Sequence, residues 1–298
     1  MKIAIMGAGA VGCYYGALLA LGGHEVTLIG RAAHVEAMNR DGLRLERAEG
    51  SVYVPVRAST GAEGARDAEL VLVCVKSADT EEAGRALRPV LGPSTVVLSL
   101  QNGVDNAERL QLALGRAVIP AVVYVGTDMA GPGHVRHHGG GRLVLGDTPA
   151  LAELFTRSGI PTKVSQNVQG ELWSKVILNC AYNAISAIAQ MPYGRFADFP
   201  GAEQVLRDAV DECLAVAARL GVTVPDDVWE SVRQIAITMP AQRSSTAQDL
   251  ARGRPTEIDY LNGYVVRKGD ELGVATPVNR VLHALVKMLE AAPKPGGA

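Results

Sequence analysis

Short β-branched and apolar runs alternate with longer amphipathic stretches through the first half of the chain, the pattern of a parallel sheet covered by helices on both faces. Strands are predicted over Lys2 to Met6, Glu25 to Ile29, Leu70 to Val75, Thr95 to Leu100 and Val118 to Val125. Several of them are apolar at nearly every position, as burial on both faces requires. Leu43 to Glu46 and Ser51 to Val56 flank Glu49-Gly50 and read as a small antiparallel insertion. Gly131 to Gly146, with Gly139-Gly140-Gly141 as its turn, reads as a further hairpin at the sheet edge. From residue 167 the periodicity turns helical, through Glu171 to Gln190, Ala202 to Leu220, Asp226 to Ile237, Glu257 to Leu272 and a last helix from Pro277 to Glu290. The expected fold class is α/β, a doubly wound, mostly parallel sheet over residues 1–166 followed by an all-helical C-terminal domain over residues 167–298. Ala291 to Ala298, with Pro293, Pro295, Gly296 and Gly297, reads as a frayed tail.

Length and composition agree with this division and narrow the partners. A chain of 298 residues exceeds one ordinary domain, and 48% hydrophobic with 20% charged residues is the balance of a folded globular protein. Twenty-nine basic against 31 acidic side chains leave a formal charge of -2, so no global positive field gathers phosphodiester backbones and nucleic acid is not expected as a partner. Cys13, Cys74, Cys180 and Cys213 form no CxxC pair and read as buried free thiols of a reducing compartment. The uncharged stretch from Ile3 to Gly23 has the length of a membrane span, and Ala10 to Cys13 resembles a lipoprotein cleavage site. Six glycines within it and a leading positive region of Lys2 alone fit a strand-turn-helix instead. A cytoplasmic protein without membrane partners is expected.

Gly7-Ala8-Gly9-Ala10-Val11-Gly12 follows the first strand directly and opens a helical pattern, the setting in which GxGxxG marks a Rossmann-type dinucleotide site. Gly7 permits the tight turn, Gly9 lets the backbone approach a pyrophosphate, and Gly12 allows close helix packing. The free N–H groups and positive dipole end of the helix then face the phosphates. Where NAD-preferring sites place an acidic residue, the second strand ends Leu28-Ile29-Gly30-Arg31. Arg31 offers a planar cationic fork to a 2'-phosphate, so NADPH/NADP+ is expected over NADH, with an ordinary solvated arginine as the alternative. Lys76 and Asn102 stand at further strand ends, where ligands of open parallel sheets bind, although a solvated lysine and an Asn-Gly turn also account for them.

In the second half, Lys175, Asn179 and Asn183 recur every four residues along an otherwise apolar helix, and Ser186 follows three residues later. At about 3.6 residues per turn they form one slowly drifting stripe. Burying a long amine beside two amides is costly without partners, so either a polar ligand or an internal hydrogen-bond network faces them. Downstream, Ser244-Ser245 and Gln248-Asp249 precede Arg254-Pro255-Thr256-Glu257-Ile258-Asp259-Tyr260. Pro255 near a helix start sets Glu257 in its first turn, where a carboxylate also complements the dipole.

The combination resembles the 2-dehydropantoate 2-reductases, also called ketopantoate reductases, over nearly the whole chain. The resemblance rests on GAGAVG at 7–12, Arg31, Lys76, QNG at 101–103, LWSKVILNCAYN at 172–183 and SSTAQDLARGRPTEIDYLNG at 244–263. It implies NADPH-dependent reduction of a small-molecule 2-oxo acid, with Lys175 and Glu257 as catalytic residues and Asn179, Asn183 and Ser245 lining the substrate cleft. Where members of the family carry further asparagines, this chain has Tyr193 and Gln242, which leaves the exact 2-oxo acid open. A related reductase of another hydroxy acid or an imine, and a non-catalytic NADPH-sensing protein, are the other readings. His134, His137 and His138 lie in a glycine-rich hairpin without acidic or Cys partners nearby in sequence, so no metal is expected. The oligomeric state is left open, a homodimer included.

Overall fold

The computed structural model describes residues 1–292, which divide into two compact units, Met1–Val168 and Gln169 onward. The first unit opens with β1 (Lys2–Met6), α1 (Ala10–Leu21), β2 (Glu25–Ile29) and α2 (Ala32–Asp41). Both strands begin and end where the apolar pattern predicts. The unit continues through β3 (Leu43–Arg47), β4 (Gly50–Val54), β5 (Arg57–Ser59), β6 (Leu70–Val73), α3 (Thr80–Leu87), β7 (Val96–Ser99) and α4 (Asn106–Leu114). It closes with β8 (Ile119–Gly131), β9 (His134–Leu145), α5 (Pro149–Arg157) and β10 (Thr162–Val164).

Among the described residues these strands make one sheet in the order β4-β3-β9-β8-β7-β6-β1-β2-β5, with β10 beside β9. It is parallel except where β3 meets β4 and β8 meets β9. β2 lies on one side of β1 and β6 on the other, so the chain reverses its winding direction beside the loop that leaves β1. Such a switch point leaves a crevice beyond the carboxyl ends of the strands. The central strands explain their own burial: Ile3, Ile5, Leu28, Leu70, Leu72 and Leu98 fill one face with Cys13, Tyr15 and Leu19 of α1. Ala4, Val71, Val73 and Val97 fill the other with Leu87 and Leu110.

The β8–β9 hairpin differs from the sequence expectation, first in its place: it lies inside the sheet between β3 and β7, not at the edge. Gly139-Gly140-Gly141 is not its turn; the chain reverses at Pro132-Gly133, where Gly133 takes φ 63° as a Pro-Gly turn allows. β8 therefore runs on to Gly131 instead of ending at Val125. The three glycines lie inside β9 with φ of 141°, 73° and 122°, and the register passes over Gly141 between the Val125–Gly140 and Tyr124–Arg142 pairs. They form a bulge whose backbone other residues would strain. β5 and β10, three residues each, were not anticipated, and β6 stops at Val73 instead of Val75.

The second unit is helical throughout its described residues: α6 (Val168–Ala189, starting at the boundary), α7 (Tyr193–Ala197), α8 (Ala202–Arg219), α9 (Val228–Thr238), α10 (Ser245–Ala251), α11 (Asn262–Leu272) and α12 (Pro277–Ala291). Small residues let the helices approach closely, Ala184 and Ala187 of α6 meeting Ala209 of α8, Ala247 of α10 and Val286 of α12. Polar groups tie the same helices together. Glu212 accepts the Val278 and Asn279 N–H groups at 2.7 and 2.9 Å, capping α12, and Asn262 donates to the Cys180 carbonyl at 3.0 Å. The predicted helix from Glu257 is divided. Glu257 precedes a 3₁₀ turn at Ile258–Tyr260, and the α-helix begins only at Asn262, after Leu261 breaks the helical backbone with φ -113° and ψ -104°. Glu257 is thus not in the first turn of an α-helix, and the dipole reading of it fails. α7 and α10 were not anticipated either. Ala291 ends α12, and the rest of the predicted tail, residues 293–298, lies outside the described residues.

Candidate active site

In the first unit, the loop from β1 to α1 sits at the switch point, and its shape leaves little choice of residue. Gly7 has φ 110°, and a Cβ there would stand 2.7 Å from the Cys74 carbonyl carbon and the Val75 nitrogen, the backbone that follows β6. A Cβ on Gly12 would be driven onto the Gly7 carbonyl oxygen. Gly9 differs, since it has an ordinary extended backbone and a Cβ would meet nothing within 4 Å. Gly7 and Gly12 are therefore required by the fold, whereas Gly9 borders open space. The Gly7 and Ala8 N–H groups donate to the Ile29 carbonyl at 3.0 and 2.8 Å, which fastens the loop to β2. No side chain caps α1, and its first turn, which contains Ala10, Val11 and Gly12, carries no acidic residue. Its leading N–H groups lack intrahelical acceptors by construction, so the positive end of the helix suits an anion.

Arg31 follows β2 directly and is exposed at the N-cap of α2. Lys76 is exposed just past β6, and Asn102 is half-buried past β7. The structure thus gathers GAGAVG, Arg31, Lys76 and Asn102 at the carboxyl ends of four neighbouring strands. Beneath them lies a buried polar network that sequence reasoning missed. Ser77 donates from its hydroxyl to the Asn102 carbonyl at 3.0 Å, and the Asn106 amide donates to the same carbonyl at 2.6 Å. Gln101 donates to Thr80 Oγ1 at 2.7 Å and to the Val75 carbonyl at 3.1 Å. Arg109 pairs with Glu81 at 2.7 Å and donates to the Ser77 carbonyl at 2.9 Å. These bonds lock the β6 and β7 end loops to each other, so Lys76 and Asn102 stand on a shared, rigid floor.

In the second unit, α6 carries the polar stripe, and the structure divides it. Ser186 is fully buried; it donates to the Met191 carbonyl at 2.8 Å and accepts the Ser244 N–H at 3.2 Å. Ser244 in turn donates to the Asn183 carbonyl at 3.0 Å and accepts the Ala247 N–H, capping α10. This end of the stripe is an internal network. Ser244 is its buried member, while Ser245 is exposed at the first position of α10. Asn183 is buried, and Lys175 and Asn179 are half-buried further along the helix.

Lys175 and Glu257, 82 positions apart in the sequence, lie near enough for the charge of one to bear on the other. Lys175 is half-buried, and desolvation lowers its pKa from 10.5 to about 8. The nearby Glu257 carboxylate works against the shift by stabilising the ammonium. Lys175 therefore changes charge within reach of neutral pH, as an acid-base group must. Tyr193 and Gln242 are also neighbours: the Tyr193 N–H donates to the Gln242 carbonyl at 2.9 Å, and the Tyr193 ring packs edge-on against Tyr182. The three hairpin histidines go separate ways, His134 to Glu46, His138 to Asp128, and His137 stacked on Tyr14. Among the described residues no group of three or more His, Cys, Asp or Glu converges, and no helix is long and apolar enough to cross a membrane.

The chain is similar to known proteins over nearly its whole length. Residues 3–150 match the family model described as ketopantoate reductase PanE/ApbA, and residues 167–290 match its C-terminal model. A 2-dehydropantoate 2-reductase of Halobacterium salinarum is 37% identical over 97% of this chain and 99% of its own length. The crystal structure of a PanE/ApbA family ketopantoate reductase from Ralstonia eutropha JMP134 superposes with a TM-score of 0.95 at 57% identity, covering 98% of this chain and 99% of that one. The ternary structure of D-mandelate dehydrogenase with NADH and anilino(oxo)acetate superposes with a TM-score of 0.92 at 27% identity, over 98% and 99% of the two chains.

The two kinds of glycine in the β1–α1 loop separate experimentally. Gly12→Ala is expected to cost about 1–3 kcal/mol of stability through overpacking, and Gly9→Ala to stay within about 0.5 kcal/mol of the parent protein. Calorimetric melting of both variants checks this.

Proposed function

The chain belongs to the PanE/ApbA ketopantoate reductase family, and from that premise we propose that it is an NADP-dependent oxidoreductase that reduces 2-dehydropantoate (ketopantoate) to pantoate. One observation carries the reading: a lysine brought to a pKa of about 8 beside a carboxylate, on the helix that also presents two asparagines. The β1–α1 loop fits a dinucleotide, because it joins an uncapped helix end free of acidic residues to a glycine bordered by open space. Gly7 to Gly12, Arg31, Lys76 and Asn102 would hold NADPH, with Arg31 on the 2'-phosphate. When bound, that group supplies the hydride that the keto carbon receives.

The chain's own residues do the rest. The Lys175 ammonium donates a proton to the keto oxygen as negative charge builds there, so one group both stabilises the charge and neutralises it. Lys175 ends the step as the amine and regains a proton from water. Glu257 binds the substrate hydroxyl or orients Lys175, and Asn179, Asn183 and Ser245 fix the remaining polar groups of the 2-oxo acid. A lysine with an unshifted pKa would remain charged but would release its proton reluctantly, and burial removes that obstacle. A cytoplasmic location and a homodimer belong to the same proposal, the latter to be read by light scattering.

A second reading, reduction of a different 2-oxo acid, has one observation in its favour. Tyr193 and Gln242, the two positions at which the chain departs from the family pattern, are joined by a backbone hydrogen bond and so alter one place together. The similar structure of D-mandelate dehydrogenase contains anilino(oxo)acetate, an aryl-bearing compound, beside NADH. Initial rates on ketopantoate beside aryl and branched 2-oxo acids, followed by loss of NADPH absorbance, decide between the readings: a preference for ketopantoate supports the first.

Lys175→Ala is expected to lower kcat by about 10²–10⁴-fold with NADPH binding intact, and normal turnover would end the proton-donor role. The pH dependence has a definite sign. Reduction uses the ammonium, whose population falls as pH rises through about 8, so kcat for the reduction falls there while the reverse oxidation, which uses the amine, gains. Stopped-flow rates in both directions test this. Arg31→Ala is expected to narrow the preference for NADPH over NADH by about tenfold or more, the equivalent of about 1.4 kcal/mol, as measured by kcat/KM for each dinucleotide.

A further inference from the structure

Glu257 lies between two residues that α12 grips. On one side, the Thr256 N–H and hydroxyl both donate to Oε1 of Glu290, at 2.7 and 2.6 Å. The same hydroxyl accepts the Ile258 N–H at 3.2 Å, so Thr256 spans the backbone of Glu257. On the other side, Asp259 accepts from His283 at 2.7 Å and Lys287 at 2.8 Å. Lys287 closes the circuit by pairing with the second Glu290 oxygen at 2.6 Å. His283, Lys287 and Glu290 recur at helical spacing along α12 and so present one face.

We propose that Thr256, anchored by Glu290, is a positioning residue that holds the Glu257 carboxylate against Lys175. The inference deepens the reading of Lys175 as proton donor and rests on it. The clamp stays charged at neutral pH: burial alone would raise the Glu290 carboxyl, but hydrogen bonds from Lys287 and Thr256 outweigh it and hold the group below its ordinary value. Glu257 is the charged group whose field opposes the desolvation of Lys175. Coulomb attraction falls with separation, and at the effective dielectric of a protein site a retreat from about 4 Å to about 6 Å removes about one pH unit of support for the ammonium. The 3₁₀ turn after Glu257 is only three residues long, so the side chains that fasten the segment help set that separation. A purely structural role would have a different signature, namely a lower melting temperature with the basicity of Lys175 unmoved.

The experiment follows Lys175 directly in the full chain without added dinucleotide. Trace acetylation with acetic anhydride across a pH series, quantified on the Lys175 peptide by mass spectrometry, gives the midpoint of its titration. The parent protein, Thr256→Val, Thr256→Ser and Glu290→Gln are compared. Thr256→Val is expected to move the midpoint down by about one pH unit, Glu290→Gln to move it less in the same direction, and Thr256→Ser, which keeps the hydroxyl, to restore the parent value. The falling limb of the kcat profile for ketopantoate reduction should move with it. A folded Thr256→Val protein with an unmoved midpoint overturns the proposal, whatever its kcat. Should that variant fail to fold, an unmoved midpoint in Glu290→Gln overturns it instead. A midpoint that shifts while the kcat limb stays put leaves the positioning role standing and removes Lys175 as the proton donor.

Discussion

Desolvation of one ammonium against the field of one carboxylate is the balance on which the rest of the second unit depends. Burial alone would lower the pKa of Lys175 further, and full exposure would leave it a weaker acid. The balance falls at about 8 because α6 is apolar around the lysine while Glu257 supplies an opposing charge. A helix with a polar outer face would have spoiled the first condition. The second requires chain from far along the sequence, which the packing of α10, α11 and α12 on α6 delivers.

In the first unit, the β1–α1 loop itself carries no formal charge. It offers backbone dipoles, arranged by two glycines that no other residue can replace without moving the β6 end or the loop itself. Rigidity comes from beneath, where Ser77, Thr80, Gln101 and Asn106 join the strand-end loops by buried hydrogen bonds. In both units the groups presented outward are few, and a larger set of internal polar contacts fixes their aim.

How much of this was legible in the sequence follows from the range of the forces. β1 and β2 were found to the residue because a short, mostly apolar and β-branched run that ends in glycine leaves one interpretation. The stripe Lys175, Asn179 and Asn183 was visible because helical spacing is local, but whether each member faced a ligand or a neighbour was not, and Ser186 belongs to the internal network. Gly139-Gly140-Gly141 misled because positive φ serves bulges as well as turns. That Ser244 caps α10 and also donates to the Asn183 carbonyl, 61 residues away, was not visible in the sequence. Glu257 was singled out as a candidate, but its expected place in the first turn of an α-helix was wrong, since the α-helix starts after Leu261. The bond between Thr256 and Glu290 joins residues 34 apart, a distance at which no periodicity speaks.

The central claim is the basicity of Lys175, and heteronuclear NMR of the protein carrying ¹⁵N-labelled lysine measures it most directly. A single lysine Nζ titrating near pH 8, and absent from the spectrum of a Lys175→Met variant, is the expected result. If Lys175 instead titrates at the ordinary lysine value of about 10.4, burial does not tune it and the account of the site is wrong.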